Sequence, residues 1–127
     1  MNFTDVSLSK ATIQTNKLLN NIKTFKSLLS EHTKFMAVIK ANAYGHGAVP
    51  LARKMEEVGA VNFFGVAQLS EALELRNAGI QTPILVFSPT RPSEIELAIQ
   101  QDVTLTVFSK EVAEEIVRVA EKLEHQA

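Results

Sequence analysis

Between Met36 and Leu123 the sequence repeats one pattern four times, a short apolar run followed by a segment with helical periodicity. The apolar runs centre on Met36 to Ile39, Asn62 to Val66, Ile84 to Phe87 and Val103 to Val107. The segments after them read as helices from about Val49 to Val58, Leu69 to Ala78, Pro92 to Gln100 and Ser109 to Leu123, the last with Val112, Ile116, Val119 and Leu123 along one side. Gly59 and Gly79 stand where helices end, Pro92 falls in a first helical turn, and Pro83 opens a strand. Strands that alternate with helices pair in parallel through right-handed crossovers, so the class is α/β. The run Phe35 to Ile39 is apolar throughout, as for a strand buried on both faces of a parallel sheet. Ahead of it, Ser9 to Ser30 places Leu18, Ile22, Phe25 and Leu29 on one helical face, after a short alternating segment at Asp5 to Leu8.

Four such units are half of an eight-unit (β/α)8 barrel of the TIM type. A closed barrel of that kind takes about 250 residues, and this chain has 127. The alternatives are an open flavodoxin-like sheet or part of a barrel. In either case the first and fourth strands leave apolar edges, which predicts association rather than a well-behaved monomer. Glu121 to Gln126 continues the final helix without a stop signal. With 46% hydrophobic and 21% charged residues the chain can bury a real core, and no linker or low-complexity segment divides it. A net charge of −1 with interleaved signs gives no basic footprint for nucleic acid or for a membrane surface. The absence of cysteine excludes disulfides, thiolate metal sites and a cysteine nucleophile. Apolar runs are too short to cross a bilayer, and Met1 to Asp5 lacks the layout of a signal peptide, so the expected location is the cytoplasm.

The first apolar run ends at a charge. Lys40 comes directly after Val38 and Ile39 and is itself succeeded by Ala41-Asn42-Ala43-Tyr44-Gly45-His46-Gly47. Ligands of parallel α/β proteins bind just outside the carboxyl ends of the strands, so Lys40 is placed where a reactive amine would be displayed. The octet Lys40 to Gly47 resembles the pyridoxal-phosphate attachment motif of the alanine racemases. Other pyridoxal-phosphate enzymes and carriers on the same barrel keep a lysine at the end of the first strand, but the residues after their lysine generally differ.

The resemblance implies that Lys40 carries pyridoxal 5'-phosphate as a Schiff base and that Tyr44 hydrogen-bonds the cofactor phosphate. It also implies that Val38 and Leu85, the latter within Ile84-Leu85-Val86, contact the cofactor ring. The implied fold is an eight-stranded barrel followed by a β-rich domain, of which residues 1–127 are the N-terminal half of the barrel and the β domain is absent. The segment Asp5 to Leu8 would pack with that missing domain. The implied activity is interconversion of L-alanine and D-alanine, a small-molecule substrate, by a homodimer that supplies D-alanine for peptidoglycan. Serine and broader-specificity racemases have similar barrels, so the substrate is not settled by the motif.

Removing the α-proton of an amino acid leaves a carbanion that needs an electron sink, which pyridoxal phosphate supplies. The lysine must be neutral to attack the aldehyde, although its ordinary pKa is about 10.4. Partial burial beside Val38 and Ile39 is expected to lower it. Once displaced by substrate, the freed amine can act as a general base, which in the family serves the D-alanine side. His46 shares the turn with Lys40 and is poorly placed to be the base on the opposite face. In the family that base is a tyrosine from the partner's second domain, and the arginine facing the pyridine nitrogen and most of the phosphate cradle also lie beyond residue 127. The chain alone is therefore expected to be inactive. His32 and His125 have no ligand spacing and no metal site is supported. Gly45 and Gly47 permit unusual backbone angles but form neither a Walker loop nor a dinucleotide fingerprint. The pairs Arg53-Lys54 and Arg91-Pro92 read as solvated helix faces and starts. Two other readings compete: a pyridoxal-phosphate carrier without turnover, and an open-sheet interaction module in which the octet is coincidence.

Overall fold

A computed structural model of the protein describes residues 11–124. The order is α1 (Thr15–Ser27), β1 (Met36–Val38), α2 (Lys40–Tyr44), α3 (Ala48–Glu57), β2 (Phe63–Val66), α4 (Leu69–Asn77), β3 (Ile84–Val86), α5 (Pro92–Gln100), β4 (Val103–Leu105) and α6 (Lys110–Lys122). The strands form one sheet in the order β1-β2-β3-β4, every pair parallel. The chain thus consists of four consecutive βα units, with each expected strand and helix present to within a few residues at its ends.

The side-chain alternation of the strands explains where the core lies. Phe64 and Val66 of β2 and Ile84 and Val86 of β3 are fully buried, and they pack with Ala52 and Met55 of α3, Ala72 and Leu75 of α4 and Ala98 of α5. Small alanines on the helices let the backbones approach the sheet closely. A second cluster joins Ile95 and Ile99 of α5 to Val119 and Ala120 of α6. The alternate strand residues point the other way. Val38, Gly65, Leu85 and Thr104 stand side by side in the parallel register, on a face that no helix layer covers among the described residues, with Val38 and Thr104 exposed.

Two expectations change for that reason. Phe35 to Ile39 is not buried on both faces: Ile39 is buried, but Phe35, Met36 and Ala37 are half-buried and Val38 is exposed, since β1 is an edge strand among the described residues, with one open face. The first helix starts at Thr15, and of its apolar stripe only Ile22 is buried while Phe25 is 60% exposed. It packs on α3 and reaches the loop after it, where Lys26 Nζ donates to the Ala60 carbonyl at 3.3 Å. The segment Asp5 to Leu8 lies outside the described residues.

At the amino-terminal end of the sheet two side chains tie the loops together. The Arg76 guanidinium donates to four carbonyls, from Nη1 to Ile80 (2.8 Å) and Thr82 (3.0 Å), from Nε to Gln101 (3.0 Å) and from Nη2 to Asp102 (2.9 Å). Glu56 Oε1 accepts from the Gln81 amide (2.8 Å) and from the Thr82 amide (2.6 Å) and hydroxyl (2.7 Å). Burial lowers the Arg76 pKa, partly offset by the charges of Asp102 and Glu56. Burial also raises that of Glu56, but the bonds from Thr82 and Gln81 and the nearby Arg76 outweigh it and hold the carboxyl below its ordinary value. No helix among the described residues is long and apolar enough to cross a membrane.

Candidate active site

Immediately after β1 the backbone changes hand. The Ile39 amide still donates to the Gly65 carbonyl at 2.9 Å, extending the strand pairing by one residue. Lys40 then opens α2, in which Ala41, Asn42, Ala43 and Tyr44 all have φ between 50° and 54°. This is a left-handed helical turn built without glycine, and each such residue costs roughly 1–2 kcal/mol. It persists because its polar groups are paired. The Ala43 amide donates to the Ile39 carbonyl (2.9 Å), Gly45 to Ala41 (3.0 Å) and Gly47 to Asn42 (2.9 Å). The Asn42 side chain accepts from the Ala48 amide at 2.7 Å, which links the turn to the start of α3, and His46 Nδ1 donates to the Ala43 carbonyl at 2.8 Å. Ala43 is buried and pins the turn to the core.

A further anchor comes from the second βα unit. Glu71 Oε1 accepts from the Ala41 amide at 2.7 Å, while Oε2 accepts from the Ala67 amide at 2.7 Å and the Gln68 amide at 3.2 Å. Sequence reasoning does not single out Glu71. Its place at the third position of α4 signals a helix-start acid, but nothing local shows that the carboxylate also reaches the residue after Lys40.

The turn displays its two functional candidates to solvent. Lys40 is exposed, and among the described residues its amine makes no hydrogen bond or ion pair. The partial burial expected for Lys40 is therefore not found: it stands beyond the end of β1, past the last residue that the sheet shelters. Tyr44, on the same turn, is 59% exposed. Val38, 39% exposed, lies two residues before Lys40 on the open face, and Leu85 is half-buried on that face, separated from it in the register by Gly65. Gly65 leaves room there for its neighbours' side chains. A Cβ at this position would stand 2.4 Å from Phe87 Cζ and 3.0 Å from Met36 Sδ, so the Phe87 ring occupies the space that a side chain on β2 would fill. The open face thus carries apolar side chains from β1 and β3, and the turn that follows β1 carries an exposed amine and an exposed phenol. His46 is held in the turn by its bond to Ala43, His32 lies in the loop before β1, and His125 falls outside the described residues. Among the described residues no group of three or more histidine, cysteine, aspartate or glutamate side chains is gathered as a metal would need.

Comparison with known proteins gives this arrangement a family. Residues 13–127 match the family model described as alanine racemase, N-terminal domain. Alanine racemase 2 of Oceanobacillus iheyensis is 47% identical over 108 residues, covering 85% of this chain and 27% of that protein. The solved alanine racemase of Clostridium difficile superposes with a TM-score of 0.80 at 42% identity, over 89% of this chain and 29% of that one. A histidine racemase from Leuconostoc mesenteroides superposes with a TM-score of 0.74 at 32% identity, over 86% of this chain and 29% of that one. The chain belongs to the alanine racemase N-terminal domain family, and it spans less than a third of the length of these relatives.

Proposed function

We propose that this chain is the N-terminal half of the (β/α)8 barrel of an alanine racemase, and that Lys40 is its cofactor lysine. The observation that carries the reading is the Lys40 amine, without a partner among the described residues, presented at the carboxyl end of β1 by a turn anchored through Ala41, Asn42, Ala43, Gly45 and Gly47. The barrel reading draws support from the outer edges of β1 and β4, which pair with no strand among the described residues. An apolar cleft of about 300 Å³ lies against β1 beneath α1, with Ile13, Ile22, Val38, Leu51 and Met55 in its walls. The C-terminal β domain of the whole protein lies beyond this chain.

The residues present fit pyridoxal 5'-phosphate. An amine suits its aldehyde, the Tyr44 phenol suits its phosphate, and Val38 and Leu85 offer apolar surface to its ring. When bound, the cofactor supplies the electron sink that makes the α-proton of an amino acid acidic. Lys40 would hold the cofactor and then, as a free amine, take or return the α-proton on the D-alanine side. Tyr44 would orient the phosphate, and the rigid turn would keep amine and phenol in register with each other. The base on the opposite face belongs to residues outside this chain, so the chain by itself performs no racemisation. The whole protein would act on L-alanine and D-alanine in the cytoplasm as a homodimer and feed peptidoglycan synthesis. A histidine racemase shares the fold of this half, so the fold alone does not fix which amino acid is used.

Mixing the protein with pyridoxal phosphate, reducing with borohydride and mapping the modified peptide tests the reading. Selective labelling of Lys40, lost in Lys40→Ala, is expected. Labelling scattered over the lysines and unchanged in the variant would overturn it.

A further inference from the structure

Glu71 and Glu94 occupy the same third position of successive helices, α4 and α5. Glu94 caps its own helix, with Oε2 accepting from the Arg91 amide at 3.2 Å and the Arg91 guanidinium 3.9 Å from Oε1. Glu71 makes the corresponding bond to Gln68 with Oε2, adds Ala67, and turns Oε1 to an amide 30 residues earlier in the chain, that of Ala41. The Ala41 amide finds no carbonyl acceptor among the described residues, because it lies in the first turn of α2 and a strand, not a helical turn, precedes it. The other bonds of the turn are local, and Glu71 is the side chain that ties it to the loop after β2.

We propose that Glu71 is a positioning residue for Lys40: its carboxylate spans the ends of β1 and β2 and fixes the left-handed turn that presents the amine and the Tyr44 phenol. The inference rests on Lys40 being the cofactor lysine. The chemistry requires a carboxylate, because both oxygens face N–H groups. An amide in its place would set its own NH₂ against either Ala41 or the Ala67 and Gln68 amides, and the turn is the end that yields, since its left-handed residues gain by relaxing.

The experiment compares the chain with Glu71→Gln, Glu71→Asp and Glu94→Gln. It reads the pyridoxal-phosphate concentration that half-labels Lys40 after borohydride reduction, and amide hydrogen exchange in the peptide covering residues 40–44. Glu71→Gln is expected to raise that concentration about threefold, the size of effect when a solvent-exposed N–H loses one net hydrogen bond, and to speed exchange in the turn. Glu94→Gln, which disturbs the same capping position one unit along, is expected to change neither. Glu71→Asp keeps an acid at the start of α4 but withdraws it from Ala41, and is expected to behave as Glu71→Gln while remaining folded by circular dichroism. Labelling and exchange in both Glu71 variants equal to those of the unaltered chain would overturn the positioning role alone. Failure of the unaltered chain to label Lys40 selectively would instead sink the reading of Lys40, and this inference with it.

Discussion

At the amino-terminal end of the sheet the Arg76 guanidinium donates to four carbonyls and Glu56 accepts from three donors, so both charges are consumed in holding the loops before β3 and β4. At the carboxyl-terminal end Lys40 donates to nothing among the described residues, and the hydrogen bonds there hold backbone instead. Both ends use a carboxylate to hold loops, Glu56 at one and Glu71 at the other, but the cation at the first is spent on carbonyls while the cation at the second is left over. Barrel folds place stability at the bottom face and chemistry at the top. Here that division is visible within four strands as a difference in where polar groups are directed.

The contrast predicts which substitutions damage the fold and which damage the site. Arg76→Met should have the largest effect, a loss of about 3 kcal/mol or more in urea unfolding, because four carbonyls lose a charged donor together. Labelling of Lys40 under native conditions should be unchanged. A loss below about 1 kcal/mol would break the assignment of stability to this end. Gly65→Ala comes next, at about 2 kcal/mol, since the new Cβ must displace Phe87 and Met36. Unlike Arg76→Met it should also weaken labelling, as the displaced ring lies beside the Val38 and Leu85 row. Asn42→Ala should cost about 1 kcal/mol through the lost bond to Ala48, with a loss of Lys40 labelling out of proportion to that change. Equal labelling in Asn42→Ala and the unaltered chain would show that the turn does not depend on its own side chain.

How much of this is legible in the sequence depends on the range of the forces involved. The four βα units are readable because apolar period and turn residues are local, and Lys40 is readable because a charge that ends an apolar run marks a strand end. The open face is not. Phe35 to Val38 has the composition of a strand covered on both sides, and its exposure is set by which elements surround it, something no local pattern records. The left-handed turn is equally hidden: Ala41, Asn42 and Ala43 are ordinary residues, and Gly45 and Gly47 hint only at the turn's exit. Glu71 and Arg76 read as one acid and one base on a helix. Their partners lie 30 residues earlier for Glu71 and up to 26 residues later for Arg76, and only the parallel topology brings those partners within reach.

The smallest effect tests the same division by pH. The Glu56 carboxyl is more acidic in the folded chain than in the unfolded one, burial opposing this and the bonds from Thr82 and Gln81 prevailing. A group whose pKa falls on folding contributes its full stabilisation above the ordinary carboxylate value of about 4.3 and loses it as pH falls through the lower folded value. Glu56→Gln removes that dependence while retaining one oxygen that can accept from Thr82. The variant should therefore be modestly less stable than the unaltered chain at pH 7 and should draw level with it in acid, measured by urea unfolding at matched ionic strength. Labelling of Lys40 at pH 7 should not respond, because Glu56 lies at the other end of the sheet. A stability difference that persists unchanged into acid would mean that the Glu56 charge contributes nothing. The amino-terminal end would then be held by Arg76 and neutral hydrogen bonds alone.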